Sequence, residues 1–462
     1  MRTIVSILLA LLIAPQILAQ DSPFYFRNYQ VSDGLSGNAV GEMVQDKKGF
    51  MWFASRNGLN RFDGHNFKVF QSVAGDSLSI GSNSIFALYE DASEKLWVGT
   101  HKGVYRYDPV ADRFEAFRLI PAGEVLEIRG DRSGNIWIIS DLQLYRYHVR
   151  TGRAARIDLG GGQPVSLHIS ASGVVWVACN NGVVRHYDQQ TGRFESFNVG
   201  ELSGIRDIYG STTVHTVGDS ALLIGTMKKV LLLNFARKQV RNLTAAGLPG
   251  EDIQVHTIFQ KSDREFWLGT ESGLYILDLV SGRSQHIVRE QFNRYSITDN
   301  IVNSILRDRE GGIWITTQFG GINYYSTQFN NFRKFFPKPG NSISGSIVHE
   351  ITGDRNGYLW VGTEDAGLNR MDTRTGHFKA FLPDGRPGSI SYRNLHGMVA
   401  DGNELWVGTY EHGLDVIDLR TERVIRHYNA SSDPRSLSSN FIVTMYKTRG
   451  GDILAGTWIG LC

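Results

Sequence analysis

Three histidines occupy equivalent places in a repeated pattern of this sequence. His256, His349 and His396 each precede, by ten or eleven residues, a tryptophan in a segment of the "LWVGT" type. Because an imidazole gains or loses its proton near neutral pH, such residues can carry protons in acid–base catalysis or hydrogen-bond a ligand. Polar strand residues without a chemical role would have the same spacing, and this second interpretation is the better supported one.

Aromatic side chains in connecting segments are the second group able to contact a ligand. Tyr295, Tyr392 and Trp458 lie in such segments, and aromatic rings suit stacking on a sugar. Packing against a neighbouring unit is the alternative for each of them. The predicted ligand-binding residues are His256, Tyr295, His349, Tyr392 and His396.

The sequence predicts no catalytic set, no metal site and no cofactor. No cluster with metal-ligand spacing is present, and neither is a Gly-rich phosphate loop, a nucleophile elbow or a nucleotide motif. The formal net charge is +2 and the basic residues are spread along the chain, which argues against a nucleic-acid partner. The two cysteines, Cys179 and Cys462, do not provide a disulfide framework.

Repeated units position these residues. Ten anchor residues recur at intervals of 39 to 48 residues, namely Trp52, Trp97, Trp137, Trp176, Leu223, Trp267, Trp314, Trp360, Trp406 and Leu454. A period in this range with β-type sequence predicts a β-propeller with one blade per unit. The units around Trp137 and Leu223 depart most from the pattern and are interpreted as degenerate blades.

Each unit predicts four antiparallel strands, as in "NSIFALYED", "KLWVGT", "GVYRYD" and "RFEAF". No stretch has sustained helical periodicity, so very little helix is expected. An Asp six residues before the anchor and a Gly three before it predict a tight turn, and the Trp is expected to pack on the next blade. The repeated Asp is not interpreted as a calcium ligand. A residue needed in every blade serves the blade, whereas a binding site uses residues that differ between blades.

The opening segment, "FRNYQVSDGLSGNAVGEMVQDKKGFMWFASRNGLNRFDGHNFKVF", is more specific than the repeat. It resembles the two-component regulator propeller family at Asp33-Gly34-Leu35-Ser36, Asn38, Asp46, Gly49-Phe50-Met51-Trp52 and Gly58-Leu59-Asn60-Arg61-Phe62-Asp63-Gly64. Later units look like weaker copies, so the resemblance covers about residues 24 to 462.

The resemblance implies the extracytoplasmic sensor region of a bacterial hybrid two-component or one-protein receptor. In such families two seven-bladed rings are usually followed by a sandwich domain, a transmembrane helix and a cytoplasmic output domain. That domain is commonly a histidine kinase and sometimes a diguanylate cyclase, and none of these later parts is present here. The implied ligand is a small molecule or oligosaccharide, the full-length receptor could be a homodimer, and membrane contact would come only through parts missing from this fragment.

The predicted fold class is therefore all-β, with a seven-bladed propeller followed by an incomplete second one. Residues 1–19 are expected to be a secretory signal peptide, because Arg2 is followed by an apolar run and then by the small residue Ala19. This predicts export to the periplasm, and a retained membrane anchor is the alternative. Residues 20–336 form the first propeller, and residues 337–462 form about three blades of the second. "FYFRNYQ", 24–30, is predicted to pair as the outermost strand of the blade containing Trp314, and Phe329–Phe336 would have the same role in the second propeller.

Two other function classes remain open. Streptogramin lyases and several glycan-cleaving enzymes are propellers with similar "LWxGT" strands, and such an enzyme needs a convergent acid–base set near the ring axis. A protein-docking scaffold is the other alternative. A ligand site is expected on the long loops that join an outer strand to the next inner strand, such as "SVAGDSLSIGSNS" and "REQFNRYSITDN".

Overall fold

The computed structural model is an all-β protein. It describes residues 24–205, 211–244, 248, 253–326, 328 and 332–462. The chain separates into two compact units: residues up to Glu290 with Tyr295–Asn331 form the first, and Gln291–Arg294 with Phe332–Cys462 form the second. The predicted signal peptide lies outside the described residues.

The first unit contains seven antiparallel four-stranded sheets among its described residues. The seventh of these sheets takes its fourth strand, β1 (Phe26–Tyr29), from the start of the chain. The other six sheets each use four consecutive strands: β2 (Val40–Gln45), β3 (Met51–Ser55), β4 (Gly58–Phe62), β5 (Phe67–Phe70); β6 (Ile85–Glu90), β7 (Leu96–Thr100), β8 (Gly103–Asp108), β9 (Arg113–Phe117); β10 (Val125–Gly130), β11 (Asn135–Ser140), β12 (Gln143–His148), β13 (Arg153–Ile157); β14 (Pro164–Ile169), β15 (Val175–Cys179), β16 (Val183–Asp188), β17 (Arg193–Asn198); β18 (Ser211–Val217), β19 (Ala221–Thr226), β20 (Val230–Asn234), β21 (Gln239–Asn242); β22 (Val255–Gln260), β23 (Glu265–Thr270), β24 (Gly273–Asp278) and β25 (Ser284–Ile287). The remaining strands of the seventh sheet are β26 (Val302–Arg307), β27 (Ile313–Thr317) and β28 (Ile322–Tyr325).

Strand β1 closes the first unit, and this confirms the pairing predicted from the sequence. It runs antiparallel to β28, with Phe26 opposite Tyr325. The first strands of successive sheets contact one another, and β26 of the seventh sheet contacts β2 of the first. Across that junction the Asn303 side chain donates to the Val40 carbonyl at 2.8 Å. The sheets therefore follow one another in a closed cycle.

The second unit contains two four-stranded sheets and one three-stranded sheet among its described residues. Their strands are β29 (Val348–Gly353), β30 (Tyr358–Thr363), β31 (Leu368–Asp372), β32 (Phe378–Phe381); β33 (Leu395–Asp401), β34 (Glu404–Thr409), β35 (Leu414–Asp418), β36 (Arg423–Tyr428); β37 (Ile442–Lys447), β38 (Ile453–Thr457) and β39 (Gly460–Leu461). Of the predicted outer strand Phe329–Phe336, the first three residues lie outside the described part and the rest form no strand.

Helix is nearly absent from the described residues, as predicted. Its two elements with described bounds are a 3-10 turn at Val31–Asp33 and one short helix, α1 (Val199–Ser203). The two units interpreted as degenerate blades are both complete sheets, β10–β13 and β18–β21. Loss of the repeated Trp or Gly has therefore not abolished the four-stranded pattern.

The repeated Asp and Trp are joined by a hydrogen bond that the sequence analysis did not predict. One carboxylate oxygen of Asp46 accepts the Trp52 indole N–H at 2.7 Å, while the other accepts the Phe50 backbone N–H at 2.9 Å. The Trp52 ring then packs on Tyr107 of the next sheet, 5.0 Å between centroids, which confirms the predicted packing between blades. The same Asp–Trp bond occurs in four more sheets: Asp91–Trp97, Asp131–Trp137, Asp308–Trp314 and Asp354–Trp360.

Asp91→Ala is expected to lower the free energy of unfolding of the first unit by about 2–3 kcal/mol, because the buried Trp97 indole N–H loses its acceptor. The matched control is Asp76→Ala. The exposed Asp76 carboxylate accepts the backbone N–H of Leu78 in a turn, so its removal is expected to cost less than about 1 kcal/mol. Urea denaturation followed by tryptophan fluorescence measures both. Equal losses for the two variants would contradict a structural role for the buried Asp–Trp bond.

Candidate ligand-binding surface

One edge of every described sheet carries the same irregularity. Near its start, the first strand of each sheet shifts register against the second strand, for example between Val348 and Glu350 in β29. The additional residue in this β-bulge is His256 in β22, Asn303 in β26 and His349 in β29. A bulge interrupts strict alternation and redirects the side chain, so these residues do not simply follow the strand pattern.

The residue after the second strand lies beside the bulge, because antiparallel pairing places the end of the second strand opposite the start of the first. His256 Nε2 lies 3.0 Å from Glu271 Oε1, and Asn303 Nδ2 donates to Gln318 Oε1 at 3.1 Å. We call this edge of each unit, made of the bulge residues and the residues after the second strands, the bulge face. The residues after the second strands are Arg56, His101, Asp141, Asn180, Met227, Glu271, Gln318, Glu364, Tyr410 and Trp458.

Two of the predicted histidines meet at the bulge face of the second unit: His349 is the bulge residue of β29, and His396 directly precedes Gly397, the bulge residue of β33. The ring centroids of His349 and His396 are 3.8 Å apart. One potential ligand atom from each ring and a carboxylate oxygen of Glu364 all lie within 4.8 Å of one another. His396 is 8% exposed, and its Nε2 atom has no hydrogen-bond partner. Burial lowers the pKa of His396, and the neighbouring His349 lowers it further.

Tyr392 also lies in the second unit, where its ring stacks on His412 with centroids 4.1 Å apart and planes at 11°. The loop that carries it is fixed at Ser391, whose backbone N–H and hydroxyl both donate to the buried Asp415 carboxylate at 2.7 and 2.8 Å. The stack therefore presents two partly accessible rings on a held backbone, an arrangement suited to contact with a flat ligand surface.

The other two predicted residues lie in the first unit and have separate surroundings. His256 contacts Glu271, as described above. The Tyr295 carbonyl accepts the Phe26 backbone N–H at 2.8 Å, and its ring meets Tyr25 edge-on at 5.8 Å. Tyr295 therefore helps to hold the strand that closes the unit. The five predicted residues are thus divided between the two units.

The loops predicted to carry the site are partly repeated structural elements. Isoleucines are buried at equivalent places in four of them: Ile80, Ile297, Ile343 and Ile390. In four loops a backbone N–H donates to a buried side chain on the third strand, in the pairs Ser36–Asn60, Thr298–Asn323, Ser344–Asn369 and Ser391–Asp415. These contacts fix the loops, so that the remaining loop residues are free to differ between sheets.

Sequence reasoning missed a group of polar side chains on the first strands of the first unit. Arg129 Nη2 lies 2.7 Å from Glu42 Oε1 and 2.9 Å from Glu127 Oε1. Burial raises the pKa of Glu127 to about 7, although Arg129 opposes this shift. The rings of His168 and His215 pack against each other, with centroids 4.5 Å apart and planes tilted by 48°. We call these five residues the inner network; charged residues at alternate positions of "VLEIRG" were the sequence signal for part of it.

The inner network predicts a specific pH dependence. Burial, assisted by His215, lowers the pKa of His168 from 6.5 to about 3, so the folded state keeps this imidazole neutral. Above pH 6.5 the imidazole of His168 does not change the free energy of unfolding. As the pH falls below 6.5, the unfolded chain binds the proton first, and the free energy of unfolding decreases. At pH 5 we expect about 1–2 kcal/mol of loss from this residue.

His168→Gln should remove this contribution to the decrease in the free energy of unfolding between pH 8 and pH 5. Urea denaturation at both values measures it, and the exposed turn residue His65, changed to Gln, is the control with no expected effect on the slope. An unchanged slope in His168→Gln would show that the buried imidazole does not titrate as described.

The closed cycle of four-stranded antiparallel sheets defines the class, and the chain is a β-propeller protein. A profile of the family described as "Two component regulator propeller" matches residues 79–102, 296–319 and 341–365. Each match begins in the loop before the first strand of a sheet and ends two residues after the second strand. It therefore includes the bulge residue of that sheet and the residue after its second strand. The chain carries two-component regulator propeller repeats, and the predicted resemblance to this family is confirmed.

Known proteins similar to this chain include a histidine kinase, extracellular domains of two-component systems and streptogramin lyases. Histidine kinase P4 of Formosa agariphila is 43% identical over 75 residues, which are 16% of this chain and 6% of that protein. The extracellular domain of a hybrid two-component system from B. thetaiotaomicron has a TM-score of 0.67 at 23% identity, over 95% of this chain and 64% of that one. A catalytically inactive virginiamycin B lyase from Staphylococcus aureus, with quinupristin, has a TM-score of 0.51 at 13% identity, over 66% of this chain and 99% of the lyase.

The two structural likenesses show a shared fold. The chain spans less than two thirds of the length of the receptor domain and a small part of the kinase. No helix in the described part of the chain is long and apolar enough to cross a membrane.

Proposed function

We propose that this chain is the ligand-sensing region of a bacterial signal-transduction receptor, located in the periplasm. The family repeats and the local similarity to a histidine kinase support this proposal. The first unit would be a complete seven-bladed propeller and the second part of another. The full-length receptor would be anchored in the inner membrane and would act as a homodimer.

The observation that carries the proposal is the contrast between the two edges of the sheets. The turn with its Asp–Trp bond repeats from sheet to sheet, as Asp46–Trp52 and Asp354–Trp360 illustrate. The side chains of the bulge face vary from sheet to sheet: the positions after the second strands hold basic, acidic, amide, apolar and aromatic residues, and only the His–Glu pair occurs twice among the described sheets. Residues that differ between equivalent positions are those available for recognition of one particular ligand.

The chemistry of the bulge face suits a hydroxyl-rich ligand. Imidazole, carboxylate and amide groups supply both donors and acceptors, while the Tyr392–His412 stack supplies ring faces. Ligand sites typically combine a few such polar groups with aromatic surface. We therefore propose an oligosaccharide as the ligand class.

A propeller enzyme is the second candidate, and the inner network favours it. A carboxyl group with a pKa of about 7, such as that of Glu127, has the value expected of an acid–base catalyst at neutral pH. However, Arg129 already pairs with one Glu127 oxygen, and the Leu167 backbone N–H donates to the other. These bonds account for the group without a substrate, so we propose binding without turnover.

The test combines binding and product analysis on the 462-residue chain. Oligosaccharide pools from different polysaccharides are screened by thermal shift, binders are measured by isothermal titration, and each mixture is analysed for products. We expect saturable binding of at least one pool and no product. His349→Ala and Tyr392→Ala should weaken binding at least 10-fold if their unit binds, whereas His377→Ala, in an exposed turn at the opposite edge, should not.

Steady product formation that is lost when Glu127 or His256 is substituted would contradict the proposed sensor and favour a propeller enzyme. Binding of none of the pools, with binding of another protein through the bulge face, would favour a docking scaffold.

A further inference from the structure

We propose that His349, Glu364 and His396 form a binding site for a divalent transition metal of the Zn²⁺ class. Two imidazoles and one carboxylate are a ligand set that Zn²⁺ accepts, commonly at catalytic or exchangeable sites. Within the described residues this is the only group of three or more His, Cys, Asp or Glu side chains close enough to share an ion.

The strongest observation is the unpartnered nitrogen of His396. This ring is 8% exposed, and its buried Nε2 atom makes no hydrogen bond. A buried polar atom without a partner loses its bonds to water and gains nothing in return. Coordination to a metal ion would satisfy an imidazole nitrogen, and His349 and Glu364 each place a potential ligand atom within 4.8 Å of one on His396.

A metal ion binds the neutral imidazole and the ionised carboxylate, so Zn²⁺ binding competes with protonation of these side chains.

The geometry needs only a small adjustment. The three ligand atoms lie within 4.8 Å of one another, while ligands of a tetrahedral ion at a bond length of about 2.1 Å lie about 3.4 Å apart. His396 and Glu364 are held by strands β33 and β30, whereas His349 is an exposed bulge residue whose ring can rotate inward. Three protein ligands would leave a fourth position open for water or for an oxygen of a bound ligand.

The chain contains a matched comparison. His256 and Glu271 repeat the His349–Glu364 pair, at the same bulge position of another sheet and with a 3.0 Å contact. In the sheet that follows them the bulge residue is Asn303, and it donates to Gln318 and the Val40 carbonyl. A His–Glu pair without the second histidine is therefore available as a control.

The test uses Zn²⁺ and Co²⁺ alone with the full chain, tag removed and with Cys462→Ser, because Cys462 is an exposed thiol able to bind metal. We expect one equivalent of Zn²⁺ by competition with a chromophoric chelator, and a visible Co²⁺ absorption band that Zn²⁺ displaces. His349→Ala and Glu364→Gln should weaken Zn²⁺ binding at least 10-fold and abolish the band. His256→Ala should keep both, and circular dichroism checks that each variant is folded.

No bound equivalent of Zn²⁺, or a Co²⁺ band that survives His349→Ala, would overturn the proposal. Loss of binding in His256→Ala with retention in His349→Ala would place the metal elsewhere. Because these measurements contain no oligosaccharide, their failure would leave the proposed sensing function unaffected, and failure of the oligosaccharide screen would leave the metal site unaffected.

Discussion

Arg129→Met is expected to lower the free energy of unfolding of the first unit by about 3–5 kcal/mol. The guanidinium lies 2.7 Å from Glu42 Oε1 and 2.9 Å from Glu127 Oε1, and all three side chains are largely buried. Removing the cation leaves two carboxylates close together without a compensating charge. The cost of an unpaired buried charge, more than the strength of either ion pair, sets the size of this effect.

The direction of the pH dependence distinguishes this mechanism from simple loss of packing. Burial raises the pKa of Glu127 from 4.5 to about 7, so its protonated form stabilises the fold at low pH and that stabilisation is lost as pH rises through 7. Without Arg129 no positive charge beside Glu127 stabilises its ionised form, so the ionised carboxylate is still less favourable in the folded state. The defect of Arg129→Met should therefore be largest at pH 8 and smaller at pH 5.

Urea denaturation at both pH values measures the defect, with Arg56→Met as the control. Arg56 is exposed on the bulge face, 6.0 Å from the Phe86 ring, and should cost less than about 1 kcal/mol. A pH-independent loss in Arg129→Met would indicate that the arginine acts by packing alone. The variant Arg129→Met with Glu127→Gln should recover part of the stability at pH 8.

A protein that begins at Val31 rather than Phe24 should lose most of the stability of its first unit. The removed residues include the buried rings of Phe24, Phe26 and Tyr29. At about 1.5–3 kcal/mol for each buried side chain, the loss is about 5–9 kcal/mol, comparable with the whole stability of many domains. Tyr29 also packs edge-on against Phe62 of β4, with centroids 5.1 Å apart, and thereby links the last sheet of the cycle to the first.

The truncated protein should also associate with itself, because removal of β1 exposes the backbone groups along β28. Thermal denaturation and light scattering after size exclusion measure the two effects, and a protein that begins at Phe24 is the control. If the shorter protein stays monomeric with an unchanged melting temperature, β1 does not close the first unit in solution.

The repeat was enough to predict most of the fold. Regular spacing of Trp52, Trp97 and their equivalents predicts one sheet per unit, and the likeness of "FYFRNYQ" to an outer strand predicts the pairing of β1 with β28. The same repetition concealed the second role of the Asp. Its spacing indicated a turn, whereas its bond to the indole joins two side chains six residues apart, Asp46 and Trp52, and depends on how the turn orients them.

The candidate site was less predictable, because it depends on contacts between units of the repeat. The spacing of His349 and His396 placed both near the starts of first strands, but Glu364 follows a second strand and belongs to no linear metal-binding motif. Alternation alone could not predict the bulges, since a bulge shifts the register by one residue. Tyr295 was predicted as a ligand contact, which stays a prediction, and its backbone bond to the closing strand could not be predicted from the sequence.

Hydrogen exchange with and without a binding oligosaccharide pool tests the central claim most directly, namely that ligand recognition occurs at the bulge face. The account predicts slower exchange on binding in peptides that cover first-strand starts and second-strand ends of the binding unit, such as 254–258 with 269–273, or 347–350 with 362–366. Turns that join third and fourth strands, at the opposite edge, should exchange unchanged. Protection confined to those turns, with saturated binding, would contradict the account.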